Sequence, residues 1–389
     1  MIIINFILLI AVVILMLPVL FLLLQILAAI LVRSSSSHWQ LATRPTIAVL
    51  MPAHNESLVI AQTVKSLLSQ LSNQDQLLVV ADNCNDDTAV IAKNLGATVI
   101  ERVNANERGK GYALDYGIQY LKNKPPQVVL IIDADCMVEA GAIDLLARVC
   151  YANQRPIQAL YLMQPQPNPS LKARVAAFAW LVKNKVRPLG LKALGMPCQL
   201  MGTGMALVWQ DIAQINLASG HIVEDMKLGV DLTRMNKPPL FLPEALVTSI
   251  FPPSDEATNT QRARWEHGHL SVIINETPGL LIEAIKTKNI QMLALACDLI
   301  IPPLAVLSLV CFTVFLICFV AAAHYVLILA SILLIALASS VLLAWLFFGR
   351  ALISFKQLCF APIYALIKIP LYIKFFVSRQ VDWVRSKRN

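Results

Sequence analysis

A doubly wound α/β domain at the cytoplasmic face of a membrane, flanked by transmembrane helices, is the fold class this 389-residue sequence predicts. Three observations lead to it. Hydrophobic residues make up 57% of the chain and charged residues only 14%, outside the balance of an ordinary soluble protein. From Thr46 onward, short β-branched runs alternate with amphipathic stretches, the pattern of a parallel sheet covered by helices. The polar residues gather where those runs end: His54, Asn55 and Glu56, then Asp82, Asn83, Asn85, Asp86 and Asp87, then Asp133 and Asp135. In a doubly wound sheet that edge is where ligands bind.

Residues 1–32 carry no charge and as a helix would measure about 48 Å against a hydrocarbon core of about 30 Å, so they predict one span, tilted or bent at Pro18. With no basic n-region and no small-x-small site before the serines at 34–37, the segment predicts a retained anchor rather than a signal peptide. A domain over 45–275 follows. Within it 46–51, 77–81, 98–100 and 128–132 predict strands, and 59–69, 88–95 and 110–121 the helices between them. The stretch 171–189 sets Leu171, Val175, Phe178, Leu181 and Val182 at helical spacing beside Lys172, Arg174, Lys183, Lys185 and Arg187, with no acid, which predicts a helix lying among lipid headgroups. Two apolar runs within 299–348 predict a transmembrane hairpin. The basic segment 350–389 predicts an interfacial or re-entrant end, since Lys356, Lys368, Lys374, Pro362 and Pro370 interrupt it; a fourth span is the alternative.

The net charge of +8 is unevenly spread: 171–192 and 350–389 together carry +13 and the rest −5. Both basic blocks are apolar, which fits anionic membrane lipid and excludes a nucleic-acid groove. Arg33 and Arg44 after the first span, and the basic residues after the last, place both flanks in the cytoplasm and the N-terminus outside, in an integral protein of the plasma (inner) membrane. Eight cysteines without a CxxC pair read as apolar fillers in a reducing compartment.

Asp133-Ala134-Asp135 leaves an apolar strand, and two carboxylates at i and i+2 can share a hard cation, Mg2+ or Mn2+, while leaving positions for diphosphate oxygens. A solvated turn is the ordinary alternative for such a triplet. Arg108-Gly109-Lys110-Gly111 opens a helix and suits a backbone that approaches phosphate. In Glu224-Asp225 a carboxylate can act as base toward a sugar hydroxyl, or simply answer a helix dipole. Gln261, Arg264 and Trp265 fall on one helical face, a planar cation beside an indole platform.

Taken in order, Met51-Pro52-Ala53-His54-Asn55-Glu56, Asp82-Asn83-Cys84-Asn85-Asp86-Asp87, Arg108-Gly109-Lys110-Gly111, Asp133-Ala134-Asp135, Glu224-Asp225 and Gln261-Arg262-Ala263-Arg264-Trp265 resemble the membrane-bound family 2 glycosyltransferases, which include cellulose, hyaluronan and poly-N-acetylglucosamine synthases and ceramide glucosyltransferase. The resemblance covers roughly 45–270 and implies a GT-A fold. By position it implies that Ala53, Glu56 and Asp82 hold the nucleoside, Lys110 the diphosphate, and Asp133 with Asp135 the metal. Asp225 would be the base, and Gln261, Arg264 and Trp265 would line the junction of diphosphate and acceptor, with Gly202, Thr203 and Gly204 as the acceptor-side loop. Two positions depart from the family pattern: Ala81-Asp82-Asn83 stands where many members have consecutive aspartates, and Val223 where threonine commonly precedes the Glu-Asp pair.

The implied reaction is inverting transfer of a sugar from a nucleotide-sugar, a UDP-hexose or UDP-N-acetylhexosamine, to a polysaccharide. Single transfer to a polyprenyl-linked or ceramide-like lipid is the runner-up, because three spans leave little material for a pore and polymer export would call for partner subunits. A silent scaffold of the same fold would show losses at the metal or base positions, and the sequence shows none.

Overall fold

The computed structural model describes residues 2–32, 39, 42–220, 223–251 and 255–377, arranged as two compact units. Arg33, the serines at 34–37, Arg379, Arg385, Lys387 and Arg388 lie outside the described residues.

One unit, built from Ser36–Gln166 and Pro197–Gly268, holds an eight-stranded mixed sheet. Its strands are β1 Ile47–Ala53, β2 Gln76–Asp82, β3 Thr98–Arg102, β4 Val128–Ile131, β5 Met137–Val138, β6 Ile157–Gln164, β7 Met205–Val208 and β8 Leu240–Ile250, in spatial order β3-β2-β1-β4-β7-β6-β8-β5. The first four are parallel. β1, β2 and β4 are buried almost throughout, which is why they are nearly continuous apolar runs, whereas β3 at the sheet edge is half-buried and leaves Glu101 exposed. On one face Leu50, Leu78, Val80, Val129 and Ile131 form a core with Leu114, Ile118 and Leu121 of the helix Lys110–Leu121. The helix Ile60–Leu68 buries Ile60, Thr63, Val64 and Leu67, the i, i+3, i+4, i+7 stripe that defines it. Beyond β4 the doubly wound pattern gives way, because β7 pairs antiparallel with both β4 and β6, and β5 antiparallel with β8.

The strands expected from the sequence are present with small extensions that carry motif residues into the sheet. β1 continues through Pro52 to Ala53, past the end of its register with β4, as a one-sided strand where a missing N–H is tolerated. β2 continues to Asp82, which falls in register with Arg102 at the end of β3.

The second unit comprises Met1–Ser35, Pro167–Met196 and His269–Arg379. Its first helix, Ile2–Val32, runs unbroken through Pro18. Among the described residues, Ile3–Val32, His324–Gly349 and Phe355–Phe375 are long and apolar enough to cross a membrane. A fourth candidate is the pair Ile290–Leu299 and Leu304–Val320, bent by 76°. The expected span beginning at 299 is therefore a broken helix, interrupted at Pro302 and Pro303, where prolines cannot continue the ladder. The segment 355–377 forms three short helices, Phe355–Leu358, Ala361–Ile367 and Ile369–Val377.

Residues 171–189, expected as a headgroup helix of the domain, belong to this helical unit instead. Val175, Ala176, Ala177 and Phe178 are consecutive and all buried, so the helix Leu171–Leu181 has no free polar face over that stretch. A π-helical turn, Val182–Val186, follows. Arg187, expected to meet anionic lipid, is instead buried: its Nη2 donates at 2.7 Å both to Oδ1 and to the carbonyl of Asp298. Gln25 Nε2 donates to the same Oδ1 at 2.7 Å, so three sequence-distant segments converge on one carboxylate. His269, also buried, donates from Nε2 to the Leu299 carbonyl at 3.0 Å. Burial, with Lys183 and Arg187 close by, pushes its imidazole well below the ordinary histidine range and keeps it neutral.

Candidate active site

The parallel half of the sheet delivers the motif residues to one edge. β4 is fully buried, so the turn that leaves it is fixed at its root. Asp133 N donates to Thr203 Oγ1 at 3.1 Å, Thr63 Oγ1 donates to the Ala134 carbonyl at 2.8 Å, and β5 then pairs with β8. These contacts hold the Asp133-Ala134-Asp135 turn on both sides. Oδ2 of Asp135 accepts from Ser249 Oγ at 3.3 Å.

Lys110 reaches this turn from the first position of its helix. Gly109 before it sits at φ 134°, open to glycine and strained for other residues, and a Cβ on Gly111 would come within 2.7 Å of the Leu217 and Ser219 carbonyls. The glycines of this motif thus serve the helix start and its approach to the 217–219 loop. Lys110 Nζ lies 2.5 Å from Asp133 Oδ1, 2.8 Å from the Gly202 carbonyl and 3.8 Å from Glu224 Oε1. Burial works against its charge, but Asp133 and Glu224 outweigh it and hold the ammonium above the ordinary lysine range.

Glu224 and Asp225 occupy the first turn of the helix Glu224–Arg234. Burial pushes the Glu224 carboxyl up to about 7; Lys110 pulls the other way and Asp225 adds to the rise. Asp225 Oδ1 accepts from Met226 N at 2.9 Å, and its Oδ2 is turned to Gly202, 3.4 Å from where a Cβ there would stand. Lys110, Asp133, Gly202, Glu224 and Asp225, drawn from four separate stretches of chain, are thereby brought together.

Asp133, Asp135 and Cys136 offer ligand atoms within 4.8 Å of one another. Burial, with Asp135 and Asp133 alongside, pushes the Cys136 thiol well above its ordinary value, and Asp133 with Asp135 supply a pair of carboxylate oxygens. That oxygen pair fits Mg2+ or Mn2+. Burial also raises the Asp133 carboxyl, opposed by Lys110 and by the charge of Arg264. Arg264 thus acts on the same carboxylate from the helix Asp255–Asn275, which also carries half-buried Trp265 and buried Gln261, whose Oε1 has no partner among the described residues.

Ala53, Glu56 and Asp82 gather where β1 and β2 end. Asn85 N donates to Asn55 Oδ1 at 2.8 Å, Glu56 N to Thr88 Oγ1 at 2.7 Å, and Cys84 Sγ to the Ala53 carbonyl at 3.5 Å, so the two loops form one hydrogen-bonded body. Although burial opposes it, hydrogen bonds from Thr88 and Ser57 hold the Asp86 carboxyl at about 2.

Gly202, Thr203 and Gly204 lie beneath the aspartate turn. Thr203 is fully buried with its hydroxyl on Asp133 N, and a Cβ on Gly204 would meet Ala159 and Val247.

Two residues absent from the sequence reading organise the site. Arg102 Nη1 donates to Asp82 Oδ1 and to the Glu107 carbonyl, each at 2.8 Å, Nη2 to Glu107 Oε2 at 2.9 Å, and its guanidinium stands 5.4 Å from the Tyr112 ring centre. It ties Asp82 to the loop that delivers Lys110. Gln158, a polar residue inside an apolar strand, donates to the Thr203 carbonyl at 2.9 Å and accepts from Met201 N at 2.8 Å. That interruption in β6 was the available signal; Arg102 needs the β2–β3 register.

A mixed sheet presenting an Asp-X-Asp turn, a lysine and a Glu-Asp pair at one edge is a GT-A glycosyltransferase domain, a fold that the mannosyltransferase PcManGT from Pyrobaculum calidifontis, solved with GDP-Man and Mn2+, shares at a TM-score of 0.56 and 15% identity over 96% of this chain and 100% of that one. Residues 45–268 match the model of the glycosyltransferase like family 2, and the chain belongs to that family. It is 29% identical over 213 residues to 4,4'-diaponeurosporenoate glycosyltransferase of Staphylococcus haemolyticus, covering 50% of this chain and 54% of the relative. It is 26% identical over 257 residues to probable glycosyltransferase YdaM of Bacillus subtilis, covering 59% and 56%. The chain spans about half the length of these curated relatives.

Proposed function

We propose that the protein transfers a sugar, with inversion, from a nucleoside diphosphate sugar to the hydroxyl of a membrane lipid at the cytoplasmic surface. The observation that carries the chemistry is the Lys110 ammonium set between Asp133 and Glu224 with Asp225 beside it. Asp225 accepts the proton of the acceptor hydroxyl as its oxygen attacks the anomeric carbon, and the bond from that carbon to the diphosphate breaks on the opposite side. Lys110 and Arg264 stabilise the charge that develops on the leaving diphosphate, so no general acid is required. Asp133 and Asp135 would hold Mg2+ or Mn2+, which when bound neutralises part of the diphosphate charge. Ala53, Glu56 and Asp82 would take the nucleoside, UDP in the sequence reading, and Gln261 and Trp265 the acceptor side.

Two observations favour a lipid acceptor over the polysaccharide expected from the sequence. Among the described residues three to four candidate spans leave little material for a polymer channel, and one relative is named as a 4,4'-diaponeurosporenoate glycosyltransferase. The polysaccharide remains the second reading because Gln261, Arg264 and Trp265 resemble the motif of chain-extending synthases. Membranes containing the protein, incubated with labelled UDP- and GDP-sugars, should yield label in a solvent-extractable lipid carrying one added sugar. A ladder or long polymer would transfer the assignment to the second reading.

A further inference from the structure

The helix Thr277–Thr287 is apolar on two sides. Thr277, Leu280 and Ala284 are buried, as an ordinary packed stripe requires. The opposite side carries Pro278, Ile282 and Ile285, all exposed, with Ile282 at 54% and Ile285 at 68% of their full surface. Ile274, near the end of the preceding helix, and Ile290, at the start of the next, are exposed to a similar degree, 55% and 56%. Four isoleucines outward within seventeen residues, left in water, would keep several hundred Å2 of apolar surface hydrated, the size at which a patch marks an interaction site. Lys286 and Lys288, both exposed, stand at the C-terminal end of the helix, where long cationic stems let their ammonium groups reach phosphate while the apolar surface stays down.

The chain itself indicates what covers this face. The helix is joined through Lys288 and Asn289 to the bent apolar pair Ile290–Leu299 and Leu304–Val320, one of the candidate membrane crossings. We propose that Thr277–Thr287 lies in the plane of the bilayer interface, with Ile282 and Ile285 among the upper acyl carbons and Lys286 and Lys288 among anionic headgroups. It is an interfacial helix of the kind expected, from apolar spacing and charge, at 171–189, where the structure instead buries Val175–Phe178 and Arg187. One residue, Glu276, separates it in sequence from the helix that carries Gln261, Arg264 and Trp265.

The inference rests on the reading of the apolar helices as membrane spans, and the experiment separates the two. In the unaltered chain, reconstituted in vesicles of phosphatidylglycerol and phosphatidylcholine, a phospholipid with a diazirine on its acyl chain should label peptides covering 277–290 and spare those covering 60–68 of the sheet unit. Spin labels at Ile282→Cys and Ile285→Cys, in a cysteine-free background, should be more accessible to oxygen than to a water-soluble nickel chelate. Ile332→Cys, 53% exposed in the helix His324–Ala344, and Val90→Cys, 57% exposed in the sheet unit, provide the lipid and water references. Lipid-like values at Ile332 with water-like values at Ile282 and Ile285 would overturn the interfacial helix and leave the spans standing. Water-like values at all three would overturn both. Dipolar coupling between labels on separate copies, without acyl-chain labelling, would assign the face to a second copy of the chain and overturn the lipid contact.

Discussion

The Lys110 ammonium and the carboxylates around it give the site an acid–base order that is measurable residue by residue. Exchanging Asp225 for Asn keeps the shape and removes the proposed proton acceptor, so transfer should fall on the order of 10² to 10⁴ with nucleotide binding retained; unchanged turnover would remove Asp225 from the mechanism. Asp135→Ala and chelation should produce the same loss of transfer, with Mg2+ or Mn2+ each restoring the chelated protein, since both treatments empty one oxygen site. Glu224 supplies the pH dependence. Its carboxyl is raised from 4.5 to about 7 in the folded chain, which therefore binds an extra proton between those values. The stability it contributes is complete below about pH 4.5 and is lost as pH rises through 7. Thermal unfolding of chelated protein should show Tm falling across that window, and Glu224→Gln, neutral throughout, should flatten the fall. An identical slope in the variant would assign the titration elsewhere.

At the scale of strands and loops, the sheet edge works because adjacent strand ends are cross-tied. Arg102 and Asp82 face each other through the β2–β3 register, buried to within a tenth of their surface. Arg102→Met would leave Asp82 buried without its cation, at a cost of about 3 kcal/mol, which denaturant unfolding would register. Arg102→Lys keeps the charge but not the fork that joins Asp82 to Glu107. It should recover much of the stability while raising KM for the nucleotide sugar, and a wild-type KM in that variant would confine Arg102 to a structural role. The strands themselves were legible from the sequence, because alternating β-branched runs encode them locally. Their extensions were not: β1 passes Pro52 and β2 reaches Asp82 only because a neighbouring strand is there to pair with.

Across the whole chain, the buried Arg187–Asp298 pair shows how far local reading extends. The two residues are 111 positions apart and each side chain is 5% exposed. Arg187→Leu alone should cost about 3–5 kcal/mol by stranding Asp298, whereas Arg187→Leu with Asp298→Leu should recover most of it, because a paired removal leaves no lone charge. Unfolding followed in detergent would compare the two, and equal losses would show the pair to be uncoupled. The sequence by itself determined the α/β class, the places of the apolar helices and the motif residues of the site, since periodicity, run length and short spacings carry that information along the chain. The mixed half of the sheet, the break at Pro302–Pro303, the removal of 167–196 from the sheet unit and the burial of Arg187 were decided by tertiary structure. A cationic apolar stretch has the same local pattern whether it meets headgroups or a distant carboxylate, and only the fold brings Asp298 within 2.7 Å of the guanidinium.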